Sequence, residues 1–193
     1  LYTGMAHEDY IIGEGGHVRA DSITIAHNSI VNCVSGINSG AWDDDDPILL
    51  PPTDNVIANN IVTMDDDAPC YDADSNYPGV NETWESNMLS GSNLGDTPDT
   101  GYVEDDPELL LSNAWYQISA SSPAVNSATG DYPFVLDDVD GVVRDENKDI
   151  GADELGSGNR QPLTSSDVGP AWFGNENLPL IVSVATAGTG SGT

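Results

Sequence analysis

The chain has 193 residues, of which 33 are Asp or Glu and only 4 are Lys or Arg, for a formal charge of −29 at pH 7. That length holds one domain with a real core and not two full ones, and four scattered bases cannot build the basic face that nucleic-acid binding requires. No apolar run approaches the roughly twenty residues of a membrane span, and such self-repulsion calls for a saline or calcium-bearing medium, as suits the solvated acidic surface of a secreted protein.

The chain opens at LYTGMAHEDY with neither an initiator Met nor a signal peptide, which reads as a piece of something longer. Helical periodicity is nearly absent, whereas short β-rich runs bounded by Gly, Asn, Asp and Pro recur throughout. Three of them, Ile25 to Ile30, Val56 to Ile61 and Trp84 to Leu89, share the pattern apolar-x-x-Asn-x-apolar and recur about every thirty residues. This predicts stacked coils of parallel strands, with Ile25, Val56 and Trp84 in one interior column and Asn28, Asn59 and Asn87 in an adjacent ladder. Asparagine tolerates the left-handed turn between strands, and its amide can bond to the same amide one coil away. Three unrelated Asn turns in a β-sandwich are the alternative. Acidic, turn-rich loops, WDDDDPILLPP and MDDDAPCYDADSNYPG, separate the repeats. Cys33 and Cys70 fit either a disulfide or two thiols.

Beyond Leu89 the repeat fades, apolar residues return in DPELLLSNAWYQISASSPAVNSA, and DGVVRDENKDIGADE follows with two of the four bases, Arg144 and Lys148. The expected domains are a β-helical part with its end cap over residues 1–155, a linker or back-packing tail over 156–178, and the start of a further β module over 179–193.

SITIAHNSIVN, LPPTDNVIANNIV, DPELLL, SSPAVNSA and DVDGVVRDENKDIGADE, in that order, resemble the C-terminal half of polysaccharide lyase family six, the alginate lyases and chondroitinase-B-like enzymes, over roughly residues 1 to 172. The final LPLIVSVATAGTGSGT resembles a small β-repeat module of bacterial secreted proteins. The resemblance implies an all-β fold, a right-handed parallel β-helix forming a single-stranded solenoid, in a bacterial protein that is secreted or on the cell surface. A β-helix must cover its last coil, so Asp138, Asp140, Arg144, Lys148 and Asp149 are expected as a structural cap, the bases pairing with carboxylates such as Asp138, Asp149 or Asp153. This is preferred to a calcium loop of Asp138, Asp140 and Asp145, because calcium needs six to eight oxygen ligands at tighter spacing, and no metal ligand is assigned.

The reaction so implied removes the proton alpha to a uronate carboxylate and expels the 4-linked sugar, which needs charge neutralisation, a base and an acid. The family's Lys base, Arg acid and calcium belong to coils that would precede Leu1, so no catalytic residue is assigned here, and the rest of the same β-helix is an expected partner. An anionic polysaccharide, alginate first, would meet Arg19 as a carboxylate clamp, Tyr2 and Trp42 as sugar-stacking faces, and His7 as a cleft residue. Each has a plainer reading: Arg19 in a surface pair with Asp21 or Glu14, the aromatics packed on the coil. The rival to an enzyme is a non-catalytic β-helix of an adhesive or carbohydrate-binding protein.

Overall fold

The computed structural model describes residues 20–40, 51–75, 78–112 and 115–160. Among them the chain forms eleven short strands and no helix, so the all-β expectation holds for the described residues. The first triplet is β1 (Thr24–Ala26), β2 (Ser29–Val31) and β3 (Ile37–Ser39). A second triplet follows as β4 (Val56–Ala58), β5 (Ile61–Thr63) and β6 (Tyr71–Ala73), and a third begins with β7 (Thr83–Glu85) and β8 (Asn87–Ser90). Strands β1 to β5 each pair in parallel with the strand three places later, giving sheets β1-β4-β7, β2-β5-β8 and β3-β6. β9 (Tyr102–Glu104) extends the second sheet beside β8, and β10 (Leu109–Ser112) and β11 (Trp115–Ile118) form an antiparallel pair.

Strands of three or four residues are kept short by left-handed corners. Ser22, Asp54 and Asn81 have φ of 57°, 54° and 56° at one corner, and His27, Asn59 and Ser86 have φ of 55°, 54° and 45° at the next. Most are the short polar types that enter this region at least cost. Immediately after each second corner comes an asparagine whose amide joins the layers. Asn28 Nδ2 donates to Asn60 Oδ1 at 2.9 Å, and Asn60 Nδ2 donates to Asn87 Oδ1 at 3.0 Å.

The expected repeat is therefore shifted by one residue in its middle copy. The column is Ile25, Ile57 and Trp84, with Ile57 in place of Val56, and the ladder is Asn28, Asn60 and Asn87, with Asn60 in place of Asn59. The pattern gave one asparagine two tasks that the structure divides: the corner residue takes the positive φ, and the next residue bonds across layers. Where Asn59 and Asn60 stand together, only the register separates them.

The core has two compartments because successive side chains of a strand point to opposite faces. Ile37, Ile57, Val62, Tyr71 and Leu89 come from all three parallel sheets and share one cluster with Cys70. On the other face of the second sheet, Ile61 and Met88 meet Ile118, Ala124 and Ile150 of the closing segment. A sheet covered on both faces explains why β5 reads as consecutive apolar residues rather than an alternation. Cys33 is exposed, Cys70 is buried, and both are free thiols.

Ile61 is fully buried between its sheet and the closing segment. Ile61→Ala is expected to cost about 2 to 5 kcal/mol in denaturant unfolding, the range for emptying a core aliphatic site. A loss below about 0.5 kcal/mol would mean that the closing segment does not seal this face.

Candidate functional site

A cleft of about 260 Å³ opens beside β6 and β7, walled by Tyr71, Glu82, Trp84 and Asp96. Its side chains are positioned from two directions. Tyr71 begins β6, and Glu82 follows the left-handed corner at Asn81 and leads into β7. The Tyr71 hydroxyl donates to Glu82 Oε2 at 2.5 Å, and the Ser39 hydroxyl donates to Glu82 Oε1. Burial raises the Tyr71 pKa and the hydrogen bond to Glu82 raises it further, so the phenol stays neutral. Trp84 meets the Tyr71 ring edge to face, with centroids 4.8 Å apart and planes at 84°. Asp96 Oδ2 accepts the Ala73 N–H at 3.2 Å.

This arrangement offers aromatic surface and carboxylate acceptors to a hydroxyl-rich ligand. Among the described residues it offers no cation, because no Lys or Arg is among those lining it. Calcium, which the family resemblance brings in, fails to fit here. Among the described residues the cleft brings no three carboxylate, His or Cys ligand atoms together around one point, and both Glu82 oxygens are turned to the Tyr71 and Ser39 hydroxyls.

The second concentration of functional groups is the closing segment, which lies across the side of the second sheet and bonds to all three layers. It reaches the first layer through the Ala152 N–H to Ser29 Oγ, the second through the Gly151 N–H to the Asn59 carbonyl, and the third through Thr129 to Ser86 and Tyr132 to Glu85. Gly151 has φ of 97°, and a Cβ there would stand 2.6 Å from Ile61 Cδ1, so glycine is required by conformation and space alike.

His27 is held inside this contact. Asn59 accepts the Thr129 N–H at 3.0 Å on Oδ1 and donates to the Thr129 carbonyl at 2.8 Å from Nδ2, which fixes its amide orientation. The second Nδ2 hydrogen then faces His27 Nε2 at 3.3 Å, so Nε2 accepts and Nδ1 carries the proton toward the Asp149 carbonyl at 3.1 Å. Burial lowers the pKa of His27 to about 4, with the charge of Arg144 adding to the shift.

Arg144 is buried and donates to Glu154 at 3.0 Å and to the carbonyls of Asp149 and Gly151 at 3.1 and 2.7 Å. The expected partners Asp138, Asp149 and Asp153 are thus corrected to Glu154, with Asp149 contributing its main chain. Burial raises the Glu154 pKa while Arg144 and two N–H groups oppose it; the contact geometry decides for an ionised pair. Lys148 Nζ donates to the Tyr132 carbonyl at 2.9 Å and makes no carboxylate pair among the described residues. Asp149 takes the N–H groups of Asn126 and Leu155, one on each oxygen, each at 2.6 Å. Asp138 accepts from Asp140, Gly141 and Val142 on one oxygen and from Glu154 on the other.

Asp138, Asp140 and Asp153 bring buried carboxylate oxygens within 4.8 Å of one another. Sequence reasoning had grouped Asp145, which is exposed, with the first two. Burial pushes the Asp153 carboxyl up to about 7, with the Ile118 N–H opposing and the charges of Asp138 and Asp140 adding to the shift. Tyr2, His7, Arg19 and Trp42, the expected substrate contacts, lie outside the described residues. Glu82 and Glu154 carried no sequence signal beyond one more carboxylate in an acidic chain, and Asp153, expected as a partner of the bases, instead joins Asp138 and Asp140.

Two outcomes follow. Arg144→Ala leaves a buried carboxylate and two carbonyls without their donor, and is expected to destabilise by about 3 to 5 kcal/mol, against less than about 1 kcal/mol for an exposed pair. For His27 the unfolded chain takes up a proton at 6.5 and the folded chain at about 4. Its contribution to stability is complete above 6.5 and is lost as the pH falls toward 4. Denaturant midpoints of the wild type and His27→Gln across that window should converge as pH falls. Parallel curves would refute the assignment of a neutral, buried ring.

Compared with known proteins, the chain matches no family model, no curated protein sequence and no solved structure.

Proposed function

We propose that this chain is the C-terminal part of a right-handed parallel β-helix belonging to a secreted or cell-surface polysaccharide lyase, which cleaves a uronate polymer of the alginate kind by β-elimination. The observation that carries the fold half of this reading is the parallel pairing of each of β1 to β5 with the strand three later, held by the Asn28, Asn60 and Asn87 amides. A solenoid makes that pairing at each turn. The lyase half rests on the ordered motifs from SITIAHNSIVN to DVDGVVRDENKDIGADE and on their resemblance to family six.

In this reading the described residues bind and brace, and the base and acid lie on preceding coils of the same β-helix. Arg144 is committed to Glu154, Arg160 pairs with Asp137 at 2.5 Å, and Lys148 is tied to a main-chain carbonyl. None of them lines the Trp84 and Tyr71 cleft, so none is placed there to take a proton beside a uronate carboxylate. The Trp84 and Tyr71 cleft supplies a sugar-facing wall. That same cleft favours the second reading, a non-catalytic carbohydrate-binding β-helix, because among the described residues it offers hydroxyl acceptors and no cation.

Electrophoresis of the purified chain through gels containing alginate, chondroitin sulfate or a neutral glucan separates the readings, with ultraviolet absorbance reporting unsaturated product. Retardation by alginate without product is the expected result. Retardation by the neutral glucan alone would favour the binding module, and product from this chain by itself would overturn the assignment of base and acid to other coils.

A further inference from the structure

We propose that the buried carboxylates of Asp138, Asp140 and Asp153 form a site for one divalent, oxygen-preferring cation of the calcium or magnesium class, which locks the closing segment. The three residues stand on the turn at 138–140 and on the chain returning at 153, and all three are buried. Asp140 is only 5% exposed, and its Oδ1 is buried without any hydrogen-bond partner. Its other oxygen is occupied by Gln117 Nε2 at 2.9 Å and the Gly158 N–H at 3.2 Å, so Oδ1 is the atom with lone pairs to give. Asp153 accepts the Ile118 N–H at 2.8 Å on Oδ2. The space beside Asp140 Oδ1 is kept clear by Gly158, where a side chain would run into that oxygen and the Asp140 carbonyl.

Among the described residues the triad lacks a counter-charge. Arg144 spends its guanidinium on Glu154 and two carbonyls, and Arg160 reaches Asp137 and the main chain of Asp138, so neither donates to a carboxylate of the triad. Asp138 is compensated by four N–H groups. Asp140 and Asp153 are not compensated to that degree, and buried carboxylates without a partner are costly. A cation bridging Asp140 Oδ1, Asp153 and Asp138, its shell completed by water, removes that cost and ties residue 138 to residue 153. The site is independent of the lyase reading and of any calcium at a substrate cleft.

Thermal unfolding of the full chain, stripped with chelator and returned to calcium, magnesium or sodium chloride at equal ionic strength, tests it. A rise of several degrees in calcium or magnesium over sodium, saturating as a single site, is expected. Asp140→Asn and Asp153→Asn should abolish the rise, and Asp145→Asn, at an exposed neighbour, should keep it. Equal midpoints in all three salts would overturn the proposal, leaving shared protons to neutralise the triad. A rise that survives both triad substitutions would overturn it as well, since screening of the −29 surface charge would then be the cause. Should the triad variants fail to fold, wild-type titration still decides: saturation at one ion per chain supports the site, and dependence on ionic strength alone removes it.

Discussion

Asn60 sits between two layers with its amide committed on both sides. Its Oδ1 accepts the main-chain and side-chain N–H groups of Asn28, and its Nδ2 donates to the Ile25 carbonyl and to Asn87 Oδ1. A buried amide with any of these partners missing would cost about 1 to 3 kcal/mol, so the layers stack in the one register that satisfies the chain of amides. Strands of three residues have too few ladder bonds to choose a register by themselves. The left-handed corners at His27, Asn59 and Ser86 aim each asparagine at its neighbour, and the apolar residues on either side then fall to the correct faces.

With the register fixed, the second sheet presents apolar side chains in both directions, and one face remains to be covered. The closing segment does this with Ile118, Ala124 and Ile150, and its polar atoms are spent on the sheet's own corners. His27 and Asn59, placed by their positive φ, are the points at which it docks. Arg144 organises the segment from within, gathering Asp149, Gly151 and Glu154 around one guanidinium. One of the chain's four bases is thus the internal strut of the segment that seals the sheet.

Much of this was legible in the residues, and the failures have physical causes. Asn28 and Asn87 were assigned correctly because each is the lone asparagine at its corner, while the Asn59-Asn60 doublet hid which one takes the positive φ. Arg144 could be recognised as structural because a base surrounded by acidic residues has an evident use. Its partner could not be chosen, since several carboxylates lie within a few residues and only the path of the turn selects Glu154. An end cap was expected from chain order; the segment's described contacts run along the side of the three layers, and pairs such as Ser29 to Ala152 leave no trace in local sequence. Glu82 was missed because its role depends on Ser39 and Tyr71, brought to it from other layers.

The brace also dictates an order of events when the protein is made. His27 and Asp149 are 122 positions apart and Ser29 and Ala152 are 123 apart, so their contact closes a very long loop, and such closure is slow and comes after local pairing. As the ribosome delivers the chain from its N-terminal end, the triplets can stack while the outward faces of Ile61 and Met88 are still bare. Until residues 118–150 emerge, that face is bare apolar surface of the kind through which incompletely folded chains associate.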